Sequence, residues 1–124
     1  MPAPAPASNL KLLPSSRQAN INSDSPFGTA EKGPQNNKTV KVGSYEANTW
    51  GLFDMHGNVW EWCLDGPRSY AAGAVDDPKG PDTAPTRVLR GGGWREGACR
   101  SAFRKLRDPK YALPIVGLRV VCEW

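Results

Sequence analysis

The sequence has one histidine, His56, and three cysteines, Cys63, Cys99 and Cys122, with no two cysteines in a C-x-x-C pair. Structural zinc centres usually draw on such pairs. The four residues lie 7, 36 and 23 positions apart, so a Cys3His zinc site is not expected. An odd cysteine count permits at most one internal disulfide. A bridge between Cys63 and Cys99, or three buried thiols, are the two readings this leaves. Nothing in the sequence sets a nucleophile beside His56 as a triad would. No run approaches the ~18 apolar residues of a membrane-spanning helix. The opening MPAPAPAS lacks the charged-then-apolar order of a secretory leader, and a cytoplasmic location is the default expectation. Also missing is a 3.6-residue apolar repeat of ordinary helix length, which argues against a helical bundle or coiled coil.

Glycine and proline, by contrast, are plentiful: 13 and 12 of 124 residues. That is about a fifth of the chain, against roughly an eighth in average usage. Five tryptophans supply core material, and much of the aromatic content is concentrated between Trp50 and Trp62. The length suffices for one domain and not for two. A loop-rich globular domain is expected.

Charge is uneven. Residues 1–65 carry five Lys/Arg and six Asp/Glu, whereas 66–124 carry eleven and six. Within 87–119 stand nine basic residues against Glu96 and Asp108. Such a surface could follow phosphates. The competing reading is that some of these arginines lie inside, bonding carbonyls and carboxylates, while others form a solvated face. No nucleic-acid reader motif accompanies the charge, so a nucleic-acid partner is not expected.

Residues 1–18 are rich in Pro, Ala and Ser, with one apolar patch at 10–13, and read as a tail or linker. Residues 19–37 are crowded with Asn, Ser, Asp, Gly and Pro and read as loop. Alternation in 39–45 (TVKVGSY) predicts a short strand ended by Gly43. In 48–65 (NTWGLFDMHGNVWEWCLD), a strand would put Val59, Glu61 and Cys63 on one face and Trp60 and Trp62 on the other. Residues 66–86 return to loop, 87–90 form a strand stopped by Gly91-Gly92-Gly93, and 99–105 and 116–122 read as further short strands.

Asp54 and Glu61 flank Gly57 and Val59, so two carboxylates and two carbonyls could converge on one hard cation. Carboxylate, carbonyl and water are the usual calcium ligands. The alternative is that Asp54 caps a turn and Glu61 pairs with a C-terminal arginine. The triple glycine follows a strand, but it lacks the GxxxxGK[ST] order and no helix follows to hold an anion. Packing of backbone against Trp94 explains it as well.

In VGSYEANTWGLFDMHGNVWEWCLD, in DPKGP, in RVLRGGGWREGACRSAFR and in the closing VGLRVV, the chain resembles the C-terminal half of the formylglycine-generating enzyme (sulfatase-modifying factor) family. The likeness spans roughly 19–121. It implies an α+β, C-type-lectin-like fold of short strands and long irregular loops. Residues 19–124 would be the C-terminal part of that domain, a truncated form or fragment. Active members of the family oxidise a sulfatase cysteine to formylglycine with copper held by two cysteines. Glu96 stands where the first of that pair would be, and four residues separate Trp94 from Cys99, so the pair is missing and copper is not expected. The family's calcium site corresponds to Asp54, Gly57, Val59 and Glu61, which strengthens the expectation of calcium. A second family calcium site starts at an Asn-Ile pair matched by Asn20 and Ile21, without a clear Asp counterpart. The resemblance further implies a variable ligand face, here Trp94, Arg95, Glu96, Arg100, Arg104, Arg107 and Tyr111, for a protein or peptide. A missing N-terminal half is a second candidate partner. The expected function is a calcium-stabilised binding or accessory module, with the oxidase, as a fragment or split enzyme, as the alternative.

Overall fold

Trp60 explains how so few strands hold together. It is 1% exposed and begins a three-residue strand whose neighbours on both sides come from distant parts of the chain. The computed structural model describes residues 15–24, 32–70, 72–76, 80–81, 83–97 and 99–122. Four strands form: β1 (Trp60–Trp62), β2 (Arg87–Arg90), β3 (Lys105–Arg107) and β4 (Val116–Leu118). They make one mixed sheet in the order β3-β2-β1-β4. β1 runs antiparallel to β2, with Trp62 opposite Leu89, and parallel to β4, with Glu61 opposite Gly117. β2 pairs antiparallel with β3, placing Val88 opposite Leu106.

The core is small. Trp60, Val88 and Leu89 are buried, and Ala19, Ile21 and Cys99 form an apolar cluster. Phe103 meets Trp60 edge to face at 5.5 Å, and the Lys105 ammonium lies 4.2 Å from the centre of the Trp60 ring. Such contacts add to area burial. No helix forms among the described residues, so the helical share of the expected α+β class has no counterpart there.

Strand β2 coincides with the sequence reading; three other strand expectations are corrected. Residues 39–45 form no strand: the chain turns at 42–43 and bends at 45. The N–H and C=O of Val40 bond the side-chain amide of Asn58 at 3.0 and 3.2 Å, which takes the place of a strand neighbour. Val42 is 76% exposed and Gly43 has φ +71°, so the alternation marks no buried face. Strand β3 starts only at Lys105, because a turn from Arg100 to Phe103 folds the aromatic ring back onto Trp60. Strand β4 ends at Leu118, after which Arg119 turns to Glu61. The expected disulfide is also absent: Cys63 and Cys99 remain thiols, Cys63 half-buried and Cys99 buried, and Cys122 is exposed, so burial of all three is likewise corrected. Of the tail, residues 1–14, including the 10–13 patch, lie outside the described residues, as do 77–79 of the DPKGP segment.

Candidate functional site

Segment 54–58 curls because three of its residues take left-handed backbone: Asp54 (φ 53°), Gly57 (φ 78°) and Asn58 (φ 63°). Glycine does this without strain, and Asn and Asp are the side chains that tolerate it best. A Cβ on Gly57 would collide with the Asn20 carbonyl, so the glycine also permits a close approach of backbone to backbone. The curl places Asp54, Gly57, Val59 and Glu61 on the wall of one cleft of about 360 Å³, together with Phe53 and Arg119.

Inside that cleft the carboxylates already have partners. Arg119 grips Glu61 with two bonds, Nε to Oε2 at 2.9 Å and Nη2 to Oε1 at 2.7 Å, and Nη2 also reaches the Asp54 carbonyl at 3.3 Å. Bonding to Glu61 holds the Arg119 guanidinium above its ordinary range. Asp54 Oδ2 accepts the Gly43 N–H at 2.6 Å, which secures the turn at 41–43. The carboxylate pairing is therefore that of a capped turn and an ion pair with a C-terminal arginine. The four candidate ligands nevertheless share one wall. A carboxylate offers about four lone-pair sites, so two bonds to Arg119 leave Glu61 acceptor capacity.

Behind the curl lies a buried amide network that sequence reading missed. Asn20, 2% exposed, donates from Nδ2 to the Lys38 carbonyl at 2.9 Å and to Asn58 Oδ1 at 3.0 Å. Its Oδ1 accepts from Asn36 at 3.1 Å. The Asn20 side chain is thus consumed within the protein, although the Asn-Ile pair was the one signal pointing to it. Asn58 completes the network: its N–H donates to the Asn20 carbonyl at 2.8 Å and its carbonyl accepts from Trp94 at 3.0 Å.

The loop after the triple glycine is built around Glu96 and Cys99. Glu96 Oε2 accepts the Gly93 N–H at 3.0 Å and Oε1 pairs with the Lys105 ammonium at 3.1 Å. Cys99 is 1% exposed and packs against Gly92, where a Cβ would strike its sulfur. Burial pushes the Cys99 thiol up to about 12, with the Glu96 charge adding to the effect. Burial and a raised thiol make it a protonated core residue at neutral pH and a poor nucleophile.

The residues expected on a ligand face fall into three contacts. Arg95 lies over Trp94 at 4.6 Å, Arg107 over Tyr111 at 5.5 Å, and Arg104 over Tyr70 at 4.3 Å. Arg100 is exposed on the turn before Phe103, and Glu96 faces inward to Gly93 and Lys105. His56 is half-buried, its imidazole held below its usual range by burial, with Nε2 3.3 Å from Ser101 Oγ.

This geometry, a Trp-centred mixed sheet whose loops carry an Asp54-to-Glu61 curl and a triple-glycine turn, can be set beside known proteins. The model of the sulfatase-modifying factor enzyme 1-like domain matches residues 7–124. The chain belongs to this family. Among curated relatives of this sulfatase-modifying factor domain, it is 48% identical over 68 residues to the formylglycine-generating enzyme of Streptomyces coelicolor, covering 53% of this chain and 21% of that protein. It is 41% identical over 87 residues to the serine/threonine-protein kinase pkn1 of Chlamydia caviae, covering 65% of this chain and 14% of that protein. Among solved structures, PvdO from Pseudomonas aeruginosa superposes with a TM-score of 0.66 at 27% identity, over 93% of this chain and 42% of that one. Treponema denticola variable protein 1 superposes with a TM-score of 0.61 at 33% identity, over 67% of this chain and 31% of that one. The chain spans less than half the length of each.

Proposed function

We propose that this sulfatase-modifying factor domain acts as a calcium-stabilised, non-catalytic binding or accessory module on a C-type-lectin-like frame. The observation that carries the reading is the state of the glycine loop. Where the resemblance calls for the first copper-binding thiolate stands Glu96, committed to Gly93 and Lys105. The loop's one cysteine, Cys99, is buried and protonated. Two thiolates are what soft Cu(I) favours, and these residues do not fit such a site. What remains is a scaffold presenting Trp94, Arg95, Arg100, Arg104, Arg107 and Tyr111 to a protein or peptide ligand. The likeness to a Treponema denticola variable protein favours that use of the loops.

Calcium would be held by Asp54, the carbonyls of Gly57 and Val59, and Glu61, with Glu61 sharing its carboxylate between the cation and Arg119. A bound hard cation would supply cross-bracing of the 54–61 curl. The test is thermal unfolding of the wild type and of Glu61→Ala, each in calcium and in a chelator. At a calcium concentration a hundredfold above Kd, about 2.7 kcal/mol of stabilisation is expected for the wild type alone. An equal calcium increment in both proteins, or none in either, overturns the site.

A second reading is favoured by the 48% identity to a formylglycine-generating enzyme. In that reading the chain is part of a split oxidase, completed by an N-terminal half. It predicts aldehyde formation on a Cys-x-Pro-x-Arg peptide when copper, oxygen and that half are supplied. Mass spectrometry showing an unchanged thiol would remove it.

A further inference from the structure

Tyr70 stands among three arginines drawn from three parts of the chain. The guanidinium carbons of Arg68 and Arg104 lie 4.8 and 4.3 Å from its ring centre, and Arg90 Nη2 donates to its hydroxyl at 2.6 Å. Backbone carbonyls hold the group in place: Arg104 Nη1 donates to the Arg68 carbonyl at 2.8 Å, and Arg90 Nη1 to the Ser101 carbonyl at 2.9 Å. Among the described residues, no carboxylate forms an ion pair with Arg68, Arg90 or Arg104; the ion pairs there use Lys105 and Arg119.

Stacking occupies the flat face of a guanidinium and leaves its in-plane N–H groups directed outward. Arg68 and Arg104 both hold their guanidinium carbon over the Tyr70 ring and line one cleft of about 510 Å³ with Pro67, Ser69 and Leu106. Arg68 Nε is buried and has no hydrogen-bond partner. Because Tyr70 Oη accepts from Arg90, its own hydrogen remains available to donate. Two guanidinium charges lining one cleft, with a third on the hydroxyl of the ring they share and an Arg68 N–H left without an acceptor, form a site that a doubly charged anion would neutralise and saturate.

We propose that the cleft lined by Arg68 and Arg104 binds the tetrahedral oxyanion of a phosphate or sulfate group. The inference deepens the binding-module reading, since Arg104 belongs to its ligand face, and it is independent of calcium.

The test titrates the full chain with inorganic phosphate and sulfate in a chelator, against chloride at matched ionic strength. Binding is followed through the side-chain Nε–H resonances of the arginines and through Tm. Phosphate or sulfate should shift the Arg68 Nε–H signal and raise Tm above the chloride control. Arg68→Gln combined with Arg104→Gln should weaken binding by about tenfold or more, whereas Lys41→Gln, at an exposed position outside this cleft, should leave it unchanged. An Arg68 Nε–H signal that responds to chloride and sulfate alike in the wild type overturns the site, even if the double variant fails to fold. So does a folded double variant that binds as the wild type does. A phosphate or sulfate monoester arm distinguishes the sources: tighter binding of the ester assigns the group to a larger ligand, tighter binding of the inorganic ion to the free anion, and both support the cleft. A chain that responds to calcium but to neither anion loses this inference while keeping the calcium site.

Discussion

Asn58 does at one position what several strand residues would otherwise do. Its side-chain amide bonds both the N–H and C=O of Val40 and accepts from Asn20, while its left-handed backbone links Asn20 to Trp94. Replacement by alanine strips partners from buried amides and is expected to cost about 3 kcal/mol, read as a lower urea midpoint. Gly57→Ala should also lower the midpoint, by about 2 kcal/mol or more, because it combines strain at φ +78° with a collision against the Asn20 carbonyl. Cys99 carries a pH prediction. Its folded thiol is raised to about 12 from an ordinary value of 9.0. Its contribution to stability is therefore complete below about pH 8, where the unfolded thiol also keeps its proton. Stability should then fall as pH rises from 9 toward 12, as the unfolded state ionises first. At neutral pH, iodoacetamide should label exposed Cys122 well before Cys99 in the folded chain.

At the scale of elements, strands of three or four residues cannot persist alone, and each is tied by a contact outside the ladder. For β4 that tie is the pair of hydrogen bonds from Arg119, the next residue, to Glu61 of β1. The Arg119 side chain is 36% exposed, so solvent screening limits the pair to about 1 kcal/mol. Arg119→Gln should lower Tm modestly and, by freeing Glu61, tighten calcium binding in the 54–61 cleft; calorimetric titration separates the two effects. Strand β2 was legible because an apolar pair, Val88 and Leu89, stands between arginines and stops at glycine. The false strand at 39–45 also stops at a glycine, but its apolar residues, Val40 and Val42, alternate with polar ones. Its backbone partner is a side chain 18 residues away, and local alternation carries no trace of that.

Across the whole molecule, a small interior contrasts with a broad apolar exterior. Trp50, Leu64, Leu118, Val120 and Val121 are each more than 70% exposed. Exposed apolar side chains on an edge strand and its continuation favour association. Sedimentation velocity should show concentration-dependent self-association, reduced by Val120→Lys. Glycine, proline and tryptophan content, read with the ordered motifs, was sufficient to determine the family and the short-stranded, loop-rich character, because these residues act through their own backbone freedom or bulk. That Asp54, Gly57, Val59 and Glu61 share one cleft wall follows from their closeness in sequence: they sit within eight consecutive residues, and one curl gathers them. Tertiary structure alone decided what those groups touch. Arg119 reaches Glu61 across 58 positions, Asn20 meets Asn58 across 38, and Arg104 reaches the Arg68 carbonyl across 36. Such pairings depend on how loops close over the sheet, a long-range event whose selection lies in packing and in the need to satisfy buried polar groups.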